Sequence, residues 1–355
     1  MAVFWINLFS VYILSYFSRY FSKSSLDQPN NIKHNLLLFS IAIIILIIIS
    51  GLRNNVGDTS AYMHSYEMNK FDWKNIDYSG DFGFHIYQIL LQKLSDDSQI
   101  LVFFTALLTN LFIGVTLYKY SRLIDLSLYV YITSGMFLVS MNGIRQYLAA
   151  SIIFLSTKYI LSGEWWKYFL VVIFSATIHK SALIMIPIYF IIRRKAWTKI
   201  TIVLLISAIF IVLSFNQFTE LLFTVIEDTQ YGQYSDFDGE GANVLRVLVN
   251  SAPLIIAFVG REKLRQIFPN SDYIVNLSLL SLIFMIVATQ NWIFARFGIY
   301  FGIYNLILMS WIIKVINKRG QKFIYYAILV CYFIYFYFEQ VIGLGMVYRS
   351  DYIEF

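Results

Sequence analysis

The sequence predicts an all-α polytopic membrane protein with about twelve transmembrane or half-membrane helices and two larger loops on one face. Three observations lead there. Of 355 residues, 59% are apolar and only 14% charged, whereas a soluble domain carries about 25% charge, and the mean hydropathy is +0.65. The apolar residues gather into runs close to the roughly 20 residues that a helix needs to cross a hydrocarbon core about 30 Å thick. Basic and acidic connections alternate between those runs, as expected when Lys and Arg are retained on the cytoplasmic side. Almost nothing is left for a separate soluble domain, so residues 1–355 are read as one integral membrane domain.

The apolar runs lie at 2–18, 35–51, 98–118, 125–141, 144–161, 165–178, 181–193, 199–215, 243–260, 273–290, 293–314 and 322–343. The first has no basic leader and no small-residue cleavage pattern, which predicts a retained helix. Cytoplasmic connections are marked by Arg19, Lys23 and Lys33, by Lys119 and Arg122, by Lys167, by Arg193, Arg194, Lys195 and Lys199, by Arg261, Lys263 and Arg265, and by Lys314, Lys318, Arg319 and Lys322. The connections between are acidic. Residues 52–97 include Asp58, Glu67, Asp72, Asp77, Asp81, Asp96 and Asp97, while 216–242 hold Glu220, Glu227, Asp228, Asp236, Asp238 and Glu240 with no Lys or Arg. Both loops are assigned to the outer face. This alternation requires a break at His179-Lys180, and the two short pieces beside it predict a hairpin entering from the cytoplasmic side, its turn buried in protein or lining a watery cavity.

Several function classes drop out. The formal charge of +6 does not indicate nucleic acid, because the basic residues are spread through short connections where they set topology. Cys331 is the only cysteine, which rules out an internal disulfide and a thiolate metal cluster; it reads as a packing residue. Asp81-Phe82-Gly83 matches the kinase metal triplet without a Gly-rich loop or a catalytic loop, and reads as coincidence. Asp236, Asp238 and Glu240 open like a calcium loop, but Val247 stands where the bidentate Glu belongs. His34, His64 and His85 have no metal-ligand spacing, and no metal or other cofactor is expected.

The informative anomaly is a set of cations on the outer side. Arg53, Arg145, Lys180, Arg246, Arg296 and Arg349 all fall there, beside His179. A cation at hydrocarbon depth costs at least about 2.5–3.5 kcal/mol, so it faces a cavity or a partner unless it snorkels to the interface. Together these cations suit a diphosphate, which guanidinium groups bind bidentately and whose charge they stabilise as it develops on a leaving group. In SMNGIRQYLAASI, Asn142 and Gly143 form a tight turn before a helix start carrying Arg145 and Gln146, which favours an anion through free N–H groups as well as the guanidinium. In ATIHKSALIMIPIYF, His179, Lys180 and Ser181 occupy the helix break, where histidine is suited to acid or base work near neutral pH. Tyr231, Tyr234 and Phe237 among the carboxylates of 216–242 equally suit sugar stacking or a plain solvated loop.

These residues, with GLRNNVGDTSAYMHSYE, DFGFHIYQILLQ and ARFGIYF, resemble the EpsG/Wzy family of bacterial polysaccharide polymerases over about residues 36–310. The resemblance implies a GT-C-like, metal-independent membrane glycosyltransferase. It would move a growing glycan from undecaprenyl diphosphate onto a new lipid-linked repeat, on the outer face of the cytoplasmic membrane, building O-antigen, capsule or exopolysaccharide. Implied partners are undecaprenyl-diphosphate-linked oligosaccharides, membrane lipids and a chain-length regulator. By position, Arg53, Asp58 and Tyr62 belong to the first motif, Arg145 and Gln146 to the second, His179, Lys180 and Ser181 to the third, and Arg296 and Tyr300 to the last. The first motif reads Gly57-Asp58-Thr59 where the family has Gly-Thr-Asp. Arg145, Arg296 and Arg53 are expected to hold diphosphate, with Arg246 and Asn142 beside them, while His179 orients or deprotonates the acceptor hydroxyl. An O-antigen ligase and a flippase or transporter are the competing expectations.

Overall fold

A computed structural model describes residues 1–24, 32–215 and 241–353. The expected external loop 216–242 therefore lies outside the described residues except for Gly241 and Ala242. The regular structure among the described residues is helical apart from a ladder of two residues on each side, in which Lys23 pairs with Lys33 and Ser24 with Ile32.

Among the described residues, three helices are long and apolar enough to cross a membrane: Gln99–Tyr120, Ser271–Ala288 and Lys318–Gly343. Two bent pairs raise the number to five if each counts as one crossing: Ile124–Thr133 with Met136–Asn142, at 55°, and Val244–Val259 with Arg261–Ile267, at 81°. The expected figure of about twelve transmembrane or half-membrane helices is not confirmed by this measure, because much of the apolar sequence among the described residues is broken into shorter helices. Leu36–Gly51, Ile144–Leu155, Trp165–Ile178, Lys180–Ile192, Lys199–Leu213 and Ile299–Val315 each run 10–17 residues. The run at 144–161, for example, is interrupted at Ser156, whose amide bonds back to Ile152 and Ile153. The acidic region 52–97 is likewise not a plain loop; it contains the helices Thr59–Met68 and Phe82–Gln92.

Large apolar side chains such as Leu170, Phe174, Val203 and Phe210 are exposed, while small polar ones turn inward. That is the arrangement expected in lipid, where polar groups join helices to one another. Asn110 donates to Ser50 Oγ at 3.0 Å, and the Tyr131 hydroxyl lies 3.1 Å from its acceptor Asn110 Oδ1 and 3.3 Å from Ser140 Oγ. This relay links Leu36–Gly51, Gln99–Tyr120, Ile124–Thr133 and Met136–Asn142. Cys331 differs from expectation: it is exposed on Lys318–Phe336 rather than packed.

Toward the side assigned to the cytoplasm, Asp125 is fully buried and accepts from Arg19 Nη2 at 3.2 Å and from the Tyr325 hydroxyl, which also meets the Tyr12 hydroxyl at 2.9 Å. These contacts fasten Ala2–Tyr20, Ile124–Thr133 and Lys318–Phe336 together. On the other side, Gln92 closes the chain ahead of its own helix. Its Nε2 donates to the carbonyls of Tyr66 and Asn69 at 3.0 and 2.7 Å, and its Oε1 accepts from the Phe71 amide at 2.9 Å. The stretch from Asp72 to Gly80 is thus pinned at its start by Gln92 and at its end by Asp81.

Candidate functional site

Asp81 is the N-cap residue of Phe82–Gln92, a position that points a carboxylate away from the helix body. It gathers groups from three distant stretches of chain. Its Oδ2 accepts from Arg145 Nη1 at 3.0 Å and lies 3.0 Å from His179 Nδ1, while its Oδ1 accepts from the Lys180 backbone amide at 3.0 Å. Arg145 stands on the first turn of Ile144–Leu155. His179 ends Trp165–Ile178 and precedes the 3-10 turn Lys180–Ile184.

A close helix contact makes this meeting possible. A Cβ at Gly83 would lie 2.1 Å from Thr177 Oγ1 and 2.9 Å from the Thr177 carbonyl carbon. Only glycine therefore lets the start of Phe82–Gln92 approach the end of Trp165–Ile178. The same logic holds at Gly57, which has φ +56° and sits against the Asn142 side chain. There the Asn142 Oδ1 accepts from the Asp58 amide at 2.9 Å.

The charges are unevenly exposed. The Asp81 side chain is 6% exposed, that of His179 14% and that of Arg145 40%. Burial pushes the Asp81 carboxyl up, but the hydrogen bond and charge of His179, the Lys180 amide and the Arg145 charge outweigh it and hold the group below its ordinary value. The carboxylate is therefore ionised near neutral pH. Arg145 also donates from Nε to the Tyr62 hydroxyl at 3.3 Å, and its guanidinium carbon lies 5.7 Å from the Tyr62 ring centre and 5.9 Å from that of Phe84. Lys180 is exposed.

A second group of expected residues adjoins through the late ARFGIYF stretch. The hydroxyls of Ser181 and Tyr300 are 2.8 Å apart, and Gln146 donates to the Arg296 carbonyl at 2.8 Å. The Arg296 guanidinium reaches Asp58 at 4.0 Å and stands 4.9 Å from the centre of the Trp292 ring. Tyr62, Arg145, His179 and Lys180 are thus gathered at Asp81, and Asp58, Asn142, Gln146, Ser181, Arg296 and Tyr300 are tied to the same helix ends.

Two expected ligands are occupied otherwise. Arg53 is 1% exposed. Its Nε donates to Thr59 Oγ1 at 3.0 Å, Nη2 to the Met141 carbonyl at 2.6 Å, and Nη1 to the Ser50 carbonyl. It closes two helix ends instead of presenting a guanidinium to an anion. Arg246 pairs with Glu339 of the π-helical segment Tyr337–Gly343, Nε to Oε1 at 2.6 Å. Sequence reasoning did not single out Asp81, whose available signal was a carboxylate in the acidic outer segment, on the same side as the unexplained cations.

Comparison with known proteins gives one match. The model of the EpsG family covers residues 36–348. No curated protein and no solved structure matches the chain.

Proposed function

The chain belongs to the EpsG family, and on that premise we propose that it is a polysaccharide polymerase acting on lipid-linked oligosaccharides at the outer face of a bacterial cytoplasmic membrane. Its apolar helices and its family fit a membrane protein of polysaccharide biosynthesis. The observation that carries the finer reading is the shared Asp81 carboxylate, which sets a half-exposed arginine beside a histidine at a point where three helix ends meet.

In this reading Arg145, Arg296 and Lys180 hold the diphosphate of an undecaprenyl-diphosphate-linked glycan, aided by the free amides at the start of Ile144–Leu155. His179 Nε2 takes the proton of the acceptor sugar's hydroxyl as that oxygen bonds to the anomeric carbon of the donor. The bond from that carbon to the diphosphate breaks, and undecaprenyl diphosphate leaves with the electron pair, its charge met by the same cations. Asp58, Tyr62 and Ser181 border the sugars, while the buried Gln146 and Tyr300, expected as ligands, instead brace the Arg296 carbonyl and the Ser181 hydroxyl from behind. Arg53 and Asn142 hold the helix ends on which the site stands.

The test is extension of synthetic undecaprenyl-diphosphate-linked repeats by the purified protein. A ladder of longer glycans, lost in Arg145→Ala and His179→Ala, is the expected result. Transfer onto lipid A core alone would make it a ligase, and movement of the lipid-linked repeat across liposomes without extension would make it a flippase.

A further inference from the structure

The carboxylate at Asp81 does more than join three chain segments. Its Oδ2 faces Nδ1 of His179 at 3.0 Å. A carboxylate carries no proton to donate, so the hydrogen in that bond resides on Nδ1. The neutral ring then has its lone pair on Nε2, which makes no hydrogen bond among the described residues. Asp81 is itself fixed, since Oδ1 is held by the Lys180 amide and the helix that it caps is pressed against Thr177 through Gly83. The imidazole is 14% exposed, so its ring rests mostly in protein.

Resting on the polymerase reading above, we propose that Asp81 is a positioning residue, which holds His179 with Nδ1 protonated and Nε2 turned to the acceptor hydroxyl. Asp81 touches no reacting atom. It acts through the ring, by choosing the tautomer and by favouring the positive charge that the ring acquires when it takes the proton. Arg145 completes the device. It shares Oδ2 with His179 and is the most exposed member of the three, so an incoming diphosphate draws its guanidinium outward and leaves the carboxylate to the imidazole. Binding of the donor and readiness of the base are thereby linked.

Two measurements decide this. The first is ¹⁵N NMR of histidine-labelled protein in lipid nanodiscs at a pH where the imidazole is neutral, with the His179 signals assigned from the spectrum of His179→Ala. Wild type should carry the ring proton on Nδ1, and Asp81→Asn should shift the population toward Nε2–H; equal populations in the two would overturn the proposal. The second is kinetics of glycan extension on the synthetic lipid-linked repeat. Asp81→Asn should lower kcat about 100-fold or more, in the range of general-base effects, with KM for the donor changed less than about threefold. Asp81→Glu should recover part of the rate. The double variant Asp81→Asn/His179→Ala should be no slower than His179→Ala alone, because groups acting as one unit do not add. Additive losses, or a rise in KM at unchanged kcat, would sink the proposal and leave Asp81 a binding or structural group. Absence of any ladder from wild type would instead count against the polymerase reading, while the NMR comparison would still decide the role of Asp81.

Discussion

Asp81 and Asp125 each accept an arginine and a second donor from far along the chain, yet the two carboxylates sit in opposite settings. Asp125 is fully buried with Arg19 at 24% exposure, and its other neighbours are tyrosines of the flanking helices. Asp81 lies at a helix start beside an arginine 40% exposed and a histidine. One pair is enclosed by the elements that it fastens. The other has a member that can change partner without the bundle coming apart. The surroundings therefore separate the two pairs: one is enclosed by protein, and the other includes an arginine that solvent reaches, the side at which the proposed anion would bind.

The largest expected effect separates these roles through stability. Asp125→Ala leaves Arg19 without its carboxylate, and breaking a buried pair costs about 3–5 kcal/mol. Thermal unfolding in detergent should show a large loss, while molecules that remain folded extend glycans at the wild-type rate. Next, Arg145→Ala and His179→Ala should each reduce extension about 100-fold, equivalent to about 2.7 kcal/mol, with unfolding little changed. If the two phenotypes were exchanged between the two sites, the contrast between them would be wrong. Gly83→Ala should follow at about tenfold in rate, or about 1.4 kcal/mol, since the methyl pushes Phe82–Gln92 off Thr177 and carries Asp81 from His179. Tyr12→Phe should be mildest, removing one hydroxyl contact from the inner cluster for about 1 kcal/mol in unfolding and nothing in rate.

The helical character and the membrane setting were legible in hydropathy, because the solvent imposes composition directly. The points at which apolar runs break were mostly not. Ser156 interrupts its run with no proline or glycine beside it, so nothing local announces the turn. Arg145 and His179 could be singled out because each stands at a helix start or break, among cations on the side where topology does not call for them. Asp81 was not, since its partners lie 64 and 98 positions away, and neither the kinase-like triplet nor the family-like stretch DFGFHIYQILLQ that it opens marks the carboxylate as their partner. Arg53 and Arg246 show the reverse failure. Charge alternation assigns a side of the bilayer and says nothing about whether a carbonyl or a Glu339 already occupies the side chain.

The stretch from Asp72 to Gly80 has a consequence of another kind. Gln92 holds its beginning and Asp81 its end, so its interior is anchored independently of its own sequence. Trp73 and Tyr78 within it are exposed. Exchanges there that keep both anchors leave Asp81, Arg145 and His179 where they are, so the surface of this stretch and the charged cluster beneath it can change separately.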